Sequence, residues 1–351
     1  MTFIEVIVLY CLQRIKGERT VYSVLHILNG KKSAQTIQDI HIFKLKAIFQ
    51  TFPSLSRANF DSIILSLNKK AWIHAGESAQ SFVIHPKKEE SLKELLIEYP
   101  IPAHLNGWKY HRITVGFWER LSLSIQVASH LAKGNNRYMP VQRNMAVQAW
   151  MKQTLQDFST ERQKLNEHLF QELAKCLEDE DIYPEYLICR LTGADHIGLT
   201  PEQAAADFGI DISYYDMSFL SLLHFMLQKI LAQEGKFPIL RKMILDDDSD
   251  FILTNSTKAT YKLILQGYSL EEISNIRRLK MSTIEDHIAE LVLNIPDFSI
   301  GGYVSKSKVE EITKIAKDIA SKSLKQIKQQ LPDATYFEIR IVLAKIGGGM
   351  K

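Results

Sequence analysis

Two helix start signals lie thirteen residues apart near the C-terminal end, and they constrain the chain more than any other feature. Ser269 stands before Leu270 with Glu272 where a capping box requires an acid. Ser282 stands before a second run with apolar residues at Ile284, Ile288, Leu291 and Val292, a helical spacing. Ile273 and Ile276 give the first helix its buried face, and the turn Leu279-Lys280-Met281 joins the two. A further helix, Thr257 to Gln266, ends at Gly267. A short capped helix, a tight turn and another capped helix form a helix-turn-helix. The pattern places Thr283, Asp286, His287 and Glu290 on the exposed side of its second helix. Two amphipathic helices follow from Ser305 to Ile346, separated near Leu331-Pro332-Asp333, with a disordered tail from Gly347.

The rest of the chain is read as mainly α. Only 16 glycines and 10 prolines occur in 351 residues, too few for a loop-rich or all-β fold. Residues 1–90 open with a buried helix, Phe3 to Ile15. Another runs from Thr20 to Leu28 and stops at Asn29-Gly30. Ser33 caps a third, a short segment follows around Leu45 to Phe49, and Ser56 caps a fourth carrying Phe60, Ile63, Ile64 and Leu67. Trp72-Ile73-His74 and Phe82-Val83-Ile84, around a turn at Gly76, read as a β-hairpin. Helices followed by one hairpin are the order of a winged helix, and Lys87 to Glu90 reads as a solvated linker. Residues 91–253 read as a helical middle domain. Its helical patterns run over Leu121–Lys133, Val141–Phe158 (with Pro140 at the start) and Phe219–Ile230. Thr200-Pro201-Glu202-Gln203 is a capped start, Gly209 ends that helix, and a second helix-turn-helix is outlined over about 186–230. Residues 254–351 complete three expected domains.

Charge is unevenly spread. Net charge is +3 overall, +5 over residues 1–90, +4 over 255–351 and therefore −6 between them. Basic ends suit phosphate contacts, and random scatter of surface charge is the competing account. Cys11, Cys176 and Cys189 are dispersed, which excludes a disulfide framework or a cysteine-rich zinc site and fits a reducing cytoplasm. No window approaches a membrane span. No catalytic motif is present. Gly30-Lys31-Lys32-Ser33 ends like a phosphate-binding loop, but position 25 is Leu and a helix precedes it, so it is rejected. The acidic run Asp246-Asp247-Asp248-Ser249-Asp250 reads as a solvated boundary. Neither cofactor nor metal is expected.

The candidate DNA-binding residues fall into two groups. Arg277, Arg278 and Lys280 suit phosphate neutralisation just before the second helix, where Ser282, Thr283 and His287 face the groove. Glu285, Asp286 and Glu290 on the same helix oppose it, so a protein-docking role stays open. Lys31, Lys32, Arg57, Lys69, Lys70 and His74 lie at helix ends and near the hairpin, where Trp72 is either a stacking platform or core.

Two stretches carry a resemblance. Gly267-Tyr268-Ser269-Leu270-Glu271-Glu272-Ile273, with Ser282-Thr283-Ile284-Glu285-Asp286-His287-Ile288, resembles the helicase helix-turn-helix domain found at the C-terminal end of some RecQ-type helicases. Val21 to Lys32, Leu45 and Phe60 to Trp72 are similar to the winged-helix RQC domain of those enzymes. The whole chain resembles the YpbB family of Firmicutes. That resemblance implies a non-catalytic accessory protein, in the cytoplasm on nucleoid DNA, supplying DNA-binding modules to a RecQ-like helicase of the RecS type. It implies forked or single-/double-strand junction DNA as ligand, in repair or recombination. The chain departs from a RecQ enzyme in lacking ATPase motifs and a four-cysteine zinc element. A helix-turn-helix transcription regulator and a protein-interaction scaffold without DNA contact stay as alternatives.

Overall fold

The computed structural model describes residues 1–135, 137–157, 164–179, 181–244, 253–295, 297–318 and 324–349. The chain is mainly α. It opens with α1 (Phe3–Ile15), α2 (Tyr22–Leu28), α3 (Ala34–Ile42) and α4 (Arg57–Lys69), then β1 (Ile73–Ala75) and β2 (Phe82–Ile84). The central helices are α5 (Glu89–Glu98), α6 (Gly107–Tyr110), α7 (Thr114–Ala132), α8 (Met145–Asp157) and α9 (Leu165–Cys176). They continue as α10 (Glu185–Ile188), α11 (Pro201–Asp207), α12 (Ile212–Ala232) and α13 (Pro238–Met243). The last six are α14 (Asn255–Leu265), α15 (Leu270–Arg277), α16 (Met281–Asn294), α17 (Lys306–Asp318), α18 (Leu324–Gln330) and α19 (Tyr336–Gly349).

The chain divides into two compact units. One holds residues 1–6 and 93–247, the other 7–92 and 248–351. The first and third segments of the sequence thus share one body.

In that terminal unit the start signals work as the sequence dictates. Ser33 and Ser56 accept hydrogen bonds from the Thr36 and Asn59 amides, satisfying N–H groups that a helix start leaves free. Gly30 takes φ +73°, and a Cβ there would meet the Gln50 side chain, so α2 ends where only glycine fits. The hairpin is antiparallel, with Ile73 opposite Ile84, His74 opposite Val83 and Ala75 opposite Phe82. Its turn is tied back by the Val21 amide donating to the Gln80 carbonyl at 2.9 Å. Arg19 and Gln35 donate to the buried Asp39 carboxylate at 2.9 and 2.8 Å, while burial pushes that carboxyl's pKa up. The core centres on α16, whose Ile284, Ile288, Leu291 and Val292 are buried. Both α3 and α19 pack on α16 and on each other, and α14 and α15 complete the helix-turn-helix.

The central unit is built around α7 and α12. Phe117, Leu121, Leu222, Met226, Leu227 and Ile230 share its main core. Thr200 and Gln203 close a full capping box, with Pro201 in the first turn of α11. A smaller core of Ala204, Ala205 and Tyr215 joins α11 to α12.

Four expectations need correction. Lys87 to Glu90 is a 3₁₀ turn running straight into α5, not a linker. The helix expected from Val141 begins only at Met145, where Asn144 Oδ1 accepts from the Ala146 amide at 3.1 Å; the Val141 amide donates to Gln126 Oε1 at 2.8 Å, and Phe158 lies outside the described residues. The region after Ser305 holds three helices rather than two. Helix α19 continues through Gly349, since extending a formed helix is easier than starting one; Met350 and Lys351 lie outside the described residues. So do the acidic positions Asp246 to Asp250.

Candidate nucleic-acid interface

The helix-turn-helix is set by its capping chemistry. Gly267, at φ +87°, ends α14 in the left-handed region. Ser269 Oγ accepts from the Glu272 amide, and Glu272 reaches back to the Ser269 amide at 2.8 Å. Those bonds hold the Glu272 carboxyl below the usual carboxylate range. Arg278 closes α15 in the left-handed conformation, at φ 52°. Leu279 then donates to the Ser274 carbonyl at 3.0 Å, and Ser274 Oγ to the Leu279 carbonyl at 2.6 Å.

This turn corrects the expected start of α16. Arg278 reverses the chain early enough that Lys280, not Ser282, takes the extended N-cap geometry, and its side chain makes no cap hydrogen bond. Ser282 is therefore exposed in the first turn, with Thr283 half-buried. Arg278 and Lys280 are exposed beside it.

The middle of α16 is interior. His287 and Glu290 are only 6% and 5% exposed, which overturns the expectation that they face solvent. The reason is a polar seam that the apolar stripe did not reveal. Glu290 accepts from the Thr254 hydroxyl at 3.1 Å and the Thr257 hydroxyl at 2.6 Å, and also from the Thr254 amide. Burial raises its pKa, and the threonine hydrogen bonds oppose that rise. Thr260 Oγ1 accepts from Arg277 Nη1 at 2.7 Å and lies 2.8 Å from His287 Nδ1. Burial, reinforced by the Arg277 charge, pushes the His287 pKa down to about 4. Arg277 also donates to Ser256, and Asp286 pairs with Arg340 of α19. Arg277, His287, Asp286 and Glu290 are thus engaged in holding the fold.

The first segment contributes at the same place. Lys32 is exposed, and its charge opposes the rise that burial gives the Glu290 pKa. Its neighbour Lys31 reaches His26 Nε2 at 3.4 Å. The other first-segment candidates surround α4 and the hairpin. Arg57 lies 4.3 Å over the Tyr22 ring and 3.8 Å from Asp61. Lys69, Lys70 and His74 are exposed, and the His74 ring meets that of His85 edge-on at 5.7 Å. Trp72 is core, 9% exposed beneath Lys88, so the stacking-platform alternative is set aside. Sequence reasoning missed Thr254, Thr257 and Thr260. Their three-residue spacing along one face of α14 was the available signal.

Among the described residues no group of three His, Cys, Asp or Glu side chains is placed to hold a metal. No described helix is long and apolar enough to cross a membrane.

A helix-turn-helix domain family matches residues 256–343. The chain is similar to Protein YpbB of Bacillus subtilis (strain 168), with 31% identity over 347 residues, 98% of each chain. It belongs to the YpbB family. No solved structure matches it. In this YpbB-family chain the matched domain covers α14 to α19 but not α3, the N-terminal helix that also covers α16.

Proposed function

We propose that this YpbB-family chain is a non-catalytic DNA-binding protein that contacts the phosphate backbone through the start of α16. The observation that carries this reading is an exposed, side-chain-uncapped first turn flanked by Arg278 and Lys280. A helix start presents backbone N–H groups and partial positive charge to phosphate oxygens. Ser282 and Thr283 add hydroxyls, and Lys31 and Lys32 extend the basic surface. Lys69, Lys70 and His74 form a second contact region, with the hairpin as the wing of a winged helix. Burial of the helix middle leaves little of α16 to read base edges, so the binding is by shape and charge rather than by sequence. That favours a helicase accessory over a transcription regulator. The resemblance to RQC and helicase helix-turn-helix domains supports a RecQ-like helicase of the RecS type as partner, junction DNA as ligand, and a place on nucleoid DNA in repair or recombination.

A second reading rests on the acid-bearing, internally bonded α16: a docking scaffold without DNA contact. Fluorescence anisotropy with forked, single-stranded and duplex DNA across a salt series separates them. The DNA-binding reading expects fork preference and a steep loss of affinity with salt. No binding to any of the three at low salt would sink it and leave the scaffold, tested by pull-down with the helicase.

A further inference from the structure

The central unit carries a tyrosine-lined cavity that the DNA-binding reading does not use. It has a volume of about 220 Å³ and lies among the 100–104 segment, the start of α10 and one face of α12. Tyr214, Ser218, Ser221 and Leu222 line it from α12, at spacings that put them on a single helix face. Tyr183 and Tyr186 line it from the turn into α10, with Asp181 just before them.

The polar groups of this wall are acceptors, and their charge is negative. The Tyr183 and Tyr186 rings have centroids 5.6 Å apart and planes 30° from parallel. Burial raises the Tyr214 and Tyr186 pKa values; Tyr183 adds to both, and Tyr214 adds to that of Tyr186, so the three phenols gather at one place. Ser221 is only 5% exposed, and its hydroxyl has no hydrogen-bond partner among the described residues. Asp181 supplies the one carboxylate among the described lining residues, and neither lysine nor arginine stands with it. The Asp181 amide donates to Asp179 Oδ1 at 3.1 Å, which keeps a second acid on the same turn. The His104 ring lies edge-on to that of Phe225, with centroids 4.8 Å apart.

We infer that this cavity binds a guanidinium group, that of arginine. Aromatic faces attract cations, and the planar guanidinium stacks on them. Its five N–H donors answer the carboxylate, phenol and serine oxygens, which a quaternary ammonium cannot do. Lysine, a compact and strongly hydrated charge, gains less from ring faces. The volume is below the roughly 300–1,000 Å³ of ordinary small-molecule sites, which suits one side chain rather than a nucleotide. The segment between the basic ends carries a net −6, which favours a cationic ligand over an anionic one. The same group is offered by the free amino acid and by an arginine displayed on a polypeptide.

The test is saturation-transfer difference NMR on the full chain. The probes are free arginine, citrulline, lysine and a short glycine-serine peptide carrying one arginine, each titrated at low salt. Citrulline keeps the shape of arginine without its charge. The inference expects arginine to bind in at least one of its two forms, and the tighter form identifies the source. Citrulline should bind about tenfold more weakly, and lysine more weakly than arginine. The double variant Y183A/D181N changes two exposed positions. It should lose about tenfold in arginine affinity while binding forked DNA as the parent does. The inference is overturned if neither arginine form binds at millimolar concentration, if citrulline or lysine binds as tightly as arginine, or if the folded double variant binds arginine unchanged. The titrations of the parent chain decide the question even where the variant fails to fold. Fork binding, measured on the same samples, separates failure here from failure at α16.

Discussion

Two helix pairs of this protein, α11–α12 and α15–α16, differ at the point where their second helix begins. Both start with a full capping box, Thr200 with Gln203 in α11 and Ser269 with Glu272 in α15. Both bury the middle of their second helix. They part at the start of that helix. Helix α12 is capped by a carboxylate: Asp211 Oδ1 accepts from the Ser213 and Tyr214 amides at 2.8 and 3.2 Å, and Oδ2 from the Phe3 amide at 3.3 Å. Exposed Glu202 and Asp207 stand on the helix before it. Helix α16 starts without a side-chain cap, directly after Arg278 and Lys280. A short capped helix, a turn and a longer helix therefore begin that longer helix with a carboxylate cap in one place and with no side-chain cap in the other. What differs is four or five residues at the turn, not the helices.

The largest effect that could break this comparison concerns how α16 is supported. A fragment of residues 254–351 lacks Ile37 and Ile40 of α3, both buried, and should show no cooperative thermal transition by circular dichroism. A cooperative melt would mean that the C-terminal helix-turn-helix stands without the N-terminal segment.

Acid comes next. The His287 ring has its pKa lowered in the fold to about 4, against about 6.5 free. Its contribution is full above pH 6.5 and is lost as pH falls toward 4, because the unfolded chain takes up the proton first. The limiting loss is about 3 kcal/mol, at about 1.4 kcal/mol per pKa unit. Urea unfolding between pH 7 and 4 should show it, and H287Q should flatten the profile. His224 of the central unit, pushed down to about 3 by burial and by His111, should give that unit an acid sensitivity of the same sign.

Charge reversal tests the turns directly. R278E/K280E should weaken fork binding at least tenfold, about 1.4 kcal/mol, and reduce the salt slope by about 2. Asp207→Lys at the other turn should leave DNA affinity unchanged by anisotropy. If instead D207K strengthens binding and the double reversal does nothing, the assignment of the two elements is inverted. The smallest effects are the caps. Ser269→Ala and Thr200→Ala should each cost about 1 kcal/mol in denaturant unfolding.

Much of the helical framework was legible. Serine and threonine caps at 33, 56, 200 and 269 mark helix starts because their side chains answer N–H groups that no helix can satisfy internally. The hairpin was legible because two short apolar runs flank a polar turn containing Gly76. Failures came where a distant side chain decides local conformation. Val141 donates its amide to Gln126 of another helix, and α8 begins only four residues later. The left-handed Arg278 moves the α16 start from Ser282 to Lys280, and no propensity singles out arginine for that conformation. Of the interface, Arg278, Lys280 and Ser282 are exposed as expected. Arg277, His287 and Glu290 are spent on internal bonds because three threonines face them.

By itself, then, the amino-acid order determined most of the helices, several of their caps and the C-terminal helix-turn-helix, since capping and periodicity are written in residues three and four apart. Only the tertiary structure decided that α3 joins α14–α19 in one body and that polar residues of α16 are interior. It also decided that one helix starts without a side-chain cap beside cations while the other is capped by Asp211. Those outcomes depend on which side chains meet across separations of tens to hundreds of residues, and burial and partnership are properties of the meeting rather than of any residue alone.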